Sequence, residues 1–456
     1  MAQISIIQKA DISEAGRFDA EYFKPEYAKL KQLFTKINTK PLLSFLEDKI
    51  ITGHTPSMSN DANYGGEIKF IKTDNLRVNF IKSQFNHYLS NAGDEVLNKT
   101  RLKKNDILIT IIGATEDVVG RVAMIDSDIL PANINQNIAL IRVDKNKINP
   151  YFLNIFLNSK YGRGYLHSLA RQTGQVNLNC REVEKVLIPN FHQSFQSEIE
   201  KTVKEAHQKQ SQAKQLYQEA EALLLEELGL VDYQPQHRLT FDALKSEVKE
   251  VERFDSEYFQ PKYFDIINKI ENYSGGFDVV KNLLEFNNKN FFPKNEEFYH
   301  YVPLSKVSKT GEINIDKQEL GIALPTRARR LVKTGEFILS SISGSLETSA
   351  IISKEHNNFI VSNGFYVFSS ENINPETLLI LFKSKIMITL LQRISKGAIL
   401  GGYDLTAFEK LKIPLIKPSI QTQIAEKITQ SHTLRKQSKE LLELAKLKVE
   451  QEIERN

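Results

Sequence analysis

Residues 17–27 read RFDAEYFKPEY and residues 253–263 read RFDSEYFQPKY. Arg17, Phe18, Asp19, Glu21, Tyr22, Phe23, Pro25 and Tyr27 return as Arg253, Phe254, Asp255, Glu257, Tyr258, Phe259, Pro261 and Tyr263. Eight matches in eleven positions, several of them aromatic, are not a chance event. A chain built this way folds as two versions of one unit, and that constrains it more than any other feature.

The likeness continues more faintly. Phe70, Ile71 and Leu76 correspond to Tyr301, Val302 and Val307, and NDILIT at 105–110 to GEFILS at 335–340. INPYFLNIFLNSK at 148–160 corresponds to INPETLLILFKSK at 373–385, and VEKVLIP at 183–189 to FEKLKIP at 408–414. Gln196, Ile199 and Val203 match Gln421, Ile424 and Ile428. The offset between copies falls from 236 to about 230 and then holds at 225 from Asn149 onward. Insertions therefore lie early in each copy, while its end keeps one register. Residues 4–11 and 239–249 read as matching lead-in segments.

Each copy ends in a stretch without Gly or Pro, 195–228 and about 420–453. In the first, Ile199, Val203, Ala206, Ala213, Tyr217, Ala220 and Leu224 recur at alternating steps of four and three, skipping only Gln210. That period of 3.5 is a helix with a narrow apolar seam, which needs one partner helix. The offset of 225 maps this seam onto Ile424, Ile428, Ser431, Arg435, Ser438, Leu442, Ala445 and Val449. Run antiparallel, the two helices set apolar ends together, Ile199 near Val449 and Leu224 near Ile424. They leave a polar middle of Gln210 near Ser438 and Tyr217 near Ser431. At about 1.5 Å per residue such a helix is roughly 50 Å long. The domain reading is 1–190, 191–230 (first helix), 231–416 and 417–456 (second helix).

Within each unit the pattern is mixed. Segments 67–73, 106–112, 121–125 and 138–143 are short, β-branched and bounded by Gly, Asn or Asp, and read as strands. Asn149-Pro150 reads as an N-cap with proline at the first helical position, opening a helix through Asn158. Residues 52–66 form a long Gly/Ser/Asn/Pro loop with no counterpart in the second copy.

With 41% hydrophobic and 25% charged residues the composition is that of a globular protein. The lone cysteine, Cys180, excludes an intramolecular disulfide framework and suits a cytoplasmic setting. No secretory signal is expected, and no stretch approaches the roughly 20 apolar residues of a membrane span. The net charge of +4 permits nucleic-acid binding without requiring it.

Catalytic signatures are missing: there is no GxxxxGK[ST], HExxH, GxSxG or CxxC. The nine histidines do not cluster with acidic residues at metal-ligand spacing, so neither a metal nor a cofactor is expected in this chain. Asn149-Pro150-Tyr151-Phe152 approximates the Asn-Pro-Pro-Tyr/Phe site of adenine methyltransferases. Its repeat mate Asn374-Pro375-Glu376-Thr377 keeps only the helix start, and a helix start explains both.

What remains suits binding. The first unit carries Lys69, Lys72, Arg77, Lys82, His87, Lys99, Arg101, Lys103, Lys104 and Arg121 on predicted strand edges and loops. Arg171, Gln172, Thr173, Gly174, Gln175 and Asn177 form a polar, hydrogen-bonding stretch. The second unit offers Arg327, Arg329 and Arg330, with Lys306, Lys309 and Lys396. Arg and Lys read guanine edges, Asn and Gln read adenine edges, and many lysines simply hold phosphates. For any one of these residues taken singly, plain solvated surface is the better reading.

In combination, the doubled RFDxEYFxPxY, Gly53-His54-Thr55-Pro56-Ser57, LKKNDILIT at 102–110 followed by Gly113, NQNIALIR at 135–142 and the long closing helices resemble the DNA-specificity subunit of type I restriction-modification systems. The resemblance implies an α+β chain of two tandem mixed α/β target-recognition domains. Two long helices would separate them, pairing as an antiparallel coiled coil in a pseudo-twofold arrangement. It implies a non-catalytic protein that reads a bipartite site in double-stranded DNA and docks two adenine methyltransferase subunits, which bind S-adenosylmethionine. Motor-nuclease subunits would complete the complex. The second copy departs from the pattern: it has no Gly-x-Thr-Pro-Ser, and SISGSLETS at 341–349 replaces IIGATEDVV. Two other classes stay open, a single-chain methyltransferase or nuclease with an unrecognised motif and a coiled-coil scaffold that binds no DNA.

Overall fold

The computed structural model describes residues 6–82, 85–115, 117–173, 175–251, 253–315, 317–397 and 401–455. Gly174, and Ile4 and Ser5 of the first lead-in segment, lie outside the described residues. The chain forms two compact units, Met1–Lys209 with Lys436–Asn456, and Gln210–Arg435. The division falls inside both long helices, Gln193–Glu227 and Pro418–Arg455.

In the first unit the hydrophobic run NDILIT supplies the inner strand Ile107–Thr110 of a four-stranded antiparallel sheet. Its order is Ile51–Thr52, Ile138–Ile141, Ile107–Thr110, Val122–Met124. The segment 106–112 is not one strand. Leu178 N–H donates to the Ile111 carbonyl, and Ile111 N–H to the Asn137 carbonyl. The chain therefore changes sheet there, and Ile112–Gly113 pairs with the hairpin of Arg171–Thr173 and Gln175–Asn177. Residues 64–66 of the expected loop belong to the strand Tyr64–Ile71. That strand is central in a second sheet, parallel to Ala132–Ile134 and antiparallel to Tyr88–Leu89.

The second unit repeats the four-stranded sheet as Glu285–Phe286, Phe365–Ser369, Phe337–Ser340, Ser349–Ile351. Phe70 and Ile71 lie in a parallel pairing with Asn133 and Ile134, and their mates Tyr301 and Val302 in one with Ile360 and Val361. The third strand differs. Here Ile360–Ser362 is central and takes Ala328–Leu331 as its other neighbour. The two units share a frame and diverge at this edge.

The repeated motif is a clasp. Asp19 accepts from Tyr22 N–H at 3.1 Å, opening the short helix Ala20–Phe23, and binds Arg17 through both oxygens at 2.7 and 2.8 Å. Arg17 donates to the carbonyls of Leu169 and Ala170 at 2.8 and 3.1 Å, closing the end of helix Lys160–Leu169 and placing a cation at its negative pole. The second copy does the same: Arg253 reaches the carbonyls of Arg393 and Ser395 and the carboxylate of Asp255. In both copies the arginine holds its aspartate below the ordinary carboxylate value, against partial burial.

Asn149 caps helix Pro150–Asn158 by accepting from Tyr151 and Phe152 N–H, and Asn374 caps Pro375–Lys383 by accepting from Thr377 N–H. Each cap residue is tied to a long helix by one glutamine. Asn149 N–H donates to Gln196 Oε1 at 2.9 Å, and Asn374 N–H to Gln421 Oε1 at 2.8 Å. The glutamine amides turn back to the carbonyls of Phe191 and Ile416, both at 2.9 Å.

The long helices run antiparallel. In the first unit Glu198 meets Lys448, Ala206 meets Ser438 and Lys209 meets Gln437; in the second, Ala213 meets Ser431 and Glu219 meets Lys427. The seam ends are sunk in the cores. Ile199, Val203, Ala445, Val449 and Ile453 pack with Phe152 and Phe156, and Ala220, Leu224, Ile424 and Ile428 with Phe337, Phe382 and Phe408. Leu442 is only partly buried. The first helix stops at Gly229, whose positive φ lets Leu230 N–H reach back to the Leu225 carbonyl at 2.8 Å.

In the polar middle, Ser438 bonds the Ala206 carbonyl and Ser431 the Ala213 carbonyl. Each acceptor lies four residues before the seam position, Gln210 or Tyr217, that the sequence pairs with that serine. Alanine leaves the backbone open to a close hydroxyl, and helical side chains lean toward their own N-terminus.

Candidate nucleic-acid interface

The first unit gathers three arginines. Arg77 sits on the hairpin Leu76–Arg77/Phe80–Ile81. That hairpin is anchored by Asn79, whose positive φ suits a tight turn and whose Oδ1 accepts from Asn154 and Asn158 at 3.1 and 2.7 Å. Arg121 closes the turn after residues 117–120, with Nε donating to the Asp117 carbonyl at 2.8 Å. Arg163 comes from helix Lys160–Leu169. Burial lowers the pKa values of Arg77 and Arg163, and the charge of Arg121 acts in the same direction on both; Asp74 opposes this at Arg77 and Asp117 at Arg163. Arg121 thus lies close enough to repel both of these partly buried cations, and that repulsion favours an anion beside it.

Sequence patterning singled out Arg77 and Arg121 but not Arg163. It stands between Gly162 and Gly164 in a helix with no run of basic residues, and only the tertiary fold brings it near Arg121. The hairpin 171–177 stands at the same corner, because Val176 pairs with Gly113 and a Cβ on Gly113 would strike Val118. Gln175 is exposed on it, and Arg171 is half-exposed while bonded to Glu182 at 2.8 Å. Asn177 pairs with both Arg171 and Ile112 across the strands.

The other first-unit candidates are scattered. Lys69 Nζ donates to the Leu130 carbonyl at 3.4 Å, and Lys72 stands over the Phe70 ring at 5.6 Å. Lys103 is exposed, and Lys104 lies 3.6 Å from Asp126. Arg101 is held by Asp94 and Glu95 together, which raises its pKa and takes up its donors. The Gly53–Ser57 loop is fixed to the NQN segment. Gly53 has no room for a Cβ against the Ile134 carbonyl, and Thr55 Oγ1 donates to Gln136. This exposes His54 and Gln136 beside each other's loops, two further polar candidates.

In the second unit the edge strand Ala328–Leu331 carries Arg329 and Arg330, with exposed Arg327 just before it. Arg329 lies over the Phe292 ring at 4.9 Å, and Phe292 is itself largely exposed. Arg330 bonds the Asn288 carbonyl and Asn290 Oδ1, which binds the loop carrying Phe292 to the strand. Lys306 is exposed, Lys309 lies 3.1 Å from Glu347, and Lys396 lies 3.5 Å from Asp404. Lys396 occupies the place of Arg171, at offset 225. A partly buried arginine beside an exposed aromatic gives a surface that accepts both phosphates and base faces.

The family model for the type I restriction modification DNA specificity domain matches residues 19–222 and again 248–444. The chain belongs to this family and carries its domain twice. It is 29% identical over 117 residues to the type I restriction enzyme EcoBI specificity subunit of Escherichia coli; that stretch covers 26% of this chain and 24% of the relative. Among solved structures, the S subunit of a type I restriction-modification system from M. genitalium is similar over 90% of this chain and 93% of its own, at 12% identity and a TM-score of 0.42. The HsdS subunit from Thermoanaerobacter tengcongensis is similar over 91% and 95%, at 11% identity and a TM-score of 0.30. No described helix is long and apolar enough to cross a membrane.

Proposed function

We propose that this chain is the DNA-specificity subunit of a type I restriction-modification complex, with each unit reading one half of a bipartite duplex site. The observation that carries the reading is one family domain present twice on one frame, with different basic surfaces. Arg77, Arg121, Arg163 and the 171–177 hairpin serve the first half-site. Arg327, Arg329, Arg330 and Phe292 serve the second. The antiparallel helices set the separation of the half-sites. Catalysis belongs to partners: two adenine methyltransferase subunits that use S-adenosylmethionine, and motor-nuclease subunits for cleavage. The complex acts in the cytoplasm.

Selection of a random duplex pool by the chain co-purified with its methyltransferase subunit tests this. Two short motifs at a fixed gap are the expected result, with Arg163→Ala relaxing or weakening one motif and Arg327→Ala the other. A single unbroken motif, or methylation by the chain alone with S-adenosylmethionine, overturns the reading.

A further inference from the structure

Helices Pro150–Asn158 and Pro375–Lys383 are copies, yet they end on different groups. Asn158 is 2% exposed, and its amide donates to the Val122 carbonyl at 3.0 Å and to Asn79 Oδ1 at 2.7 Å. Its repeat mate Lys383 donates to the Glu347 carbonyl at 2.8 Å. Val122 opens the strand Val122–Met124, and Glu347 lies just before the counterpart strand Ser349–Ile351. The frame that buries a neutral amide in the first unit therefore places an amine there in the second.

That amine lines a cavity of about 400 Å³ within the second unit. Ile380 and Ile388 give the cavity apolar lining, and Lys309 and Lys385 bring two more amines to it. Glu347 is engaged by Lys309 at 3.1 Å, and Lys383 forms no ion pair among the described residues. Burial pushes the Lys383 amine down to about 7; Glu347 opposes this, while the charges of Arg435 and Lys309 reinforce it. Glu221 and the Tyr217 hydroxyl, which also face the cavity, are both pushed up by burial. An ordinary lysine titrates at about 10.4 and is almost wholly protonated at neutral pH. A lysine desolvated beside other cations instead keeps a free lone pair and is a nucleophile.

We propose that Lys383 is an acylation site whose donor is a small acyl phosphate. The amine attacks the carbonyl carbon of the donor, the bond from that carbon to the phosphate oxygen breaks, and inorganic phosphate leaves with the electron pair. The proton shed by the nitrogen passes to solvent. Lys309 and Lys385 counter the charge of the departing phosphate, and Ile380 and Ile388 receive a short acyl chain. The product is an amide, the group that the frame already accommodates at Asn158. Its formation removes the repulsion of Lys383 from Arg435 and Lys309.

The experiment treats the full native chain with acetyl phosphate at neutral pH. Peptide mass spectrometry over a time course reads occupancy at each lysine, with exposed Lys103 as the reference. Lys383 is expected to be acetylated at least tenfold faster than Lys103, and to lose that lead when the chain is unfolded in urea. Excess inorganic phosphate should slow the reaction at Lys383 severalfold and leave Lys103 unaffected. Lys385→Ala should slow labelling of Lys383 by acetyl phosphate but not by acetic anhydride, which carries no phosphate. If Lys383 reacts no faster than Lys103, or keeps the same lead in the unfolded chain, the proposal falls. A fast rate that neither phosphate nor Lys385→Ala alters leaves a reactive amine with no seat for the donor, and overturns it as well.

Discussion

The hydroxyl of Ser438 donates a 2.7 Å hydrogen bond to the carbonyl of Ala206 on the facing helix, and Ser431 does the same to Ala213. Both serines are buried, and both acceptors are carbonyls with a lone pair to spare after the helical bond. Ser438→Ala should cost about 1 kcal/mol, as should Ser431→Ala, because each loses one buried hydrogen bond while the acceptor keeps its helical partner. Ala206→Leu should cost about 1–3 kcal/mol by forcing the helices apart. Urea denaturation checks all three.

Arg435 is 5% exposed, its Nη1 has no hydrogen-bond partner, and its guanidinium lies 5.2 Å from the centre of the Tyr217 ring. Burial lowers its pKa, with Glu312 and Tyr217 opposing. Arg435→Met should therefore leave stability unchanged or raise it, by up to about 4 kcal/mol. A fall in melting temperature would show that the charge stabilises the seam.

His207 and His432 stand at equivalent positions of the two long helices, and burial lowers the pKa of each. Asp126 and Asp128 oppose this at His207. At His432, Arg435 and Lys383 reinforce it, while Glu312 and a Thr310 backbone hydrogen bond oppose it. The unfolded chain binds a proton near about pH 6.5, before the folded chain does. Stability should fall as pH drops below about 6.5 and level off once the folded-state values are passed. Glutamine at both positions should flatten melting temperature against pH in that window, while leaving the slope from carboxylates at lower pH.

Arg121→Ala or Arg163→Ala should lower DNA affinity and reduce the slope of log K against log salt by about 0.9 for each phosphate left without its cation. Arg101→Ala should change neither by much, because its donors already serve the carboxylates of Asp94 and Glu95. Titrations of one duplex at several salt concentrations separate the two cases.

Much of the frame was legible because its signals are local. The doubled RFD motif, the Asn-Pro helix starts and the 3.5-residue seam are each read from neighbouring stretches of chain, and each marks a real element. The sites were less so. Arg77, Arg121 and Arg163 come from a hairpin, a turn and a helix, and no spacing in the chain announces that Arg121 acts on the other two. Phe292 beside Arg329 depends in the same way on Arg330 tying the 288–290 loop to the edge strand. The break at Ile111 was hidden because a strand that changes sheets stays equally apolar on both sides of the change.

The first unit contains residues 436–455 as well as the N-terminal part of the chain, and Ala445, Val449 and Ile453 fill its core. These closing pieces therefore follow the whole second unit in synthesis. At about 5–20 residues per second, the roughly 250 residues after Lys209 take about 12–50 s to emerge. Through that interval Ala445, Val449 and Ile453 are missing from the cluster that holds Phe152 and Phe156, while the second unit, continuous from Gln210 to Arg435, has all of its own residues in hand first. The unit that comes first in sequence is supplied with all of its core residues only after the second unit has been made.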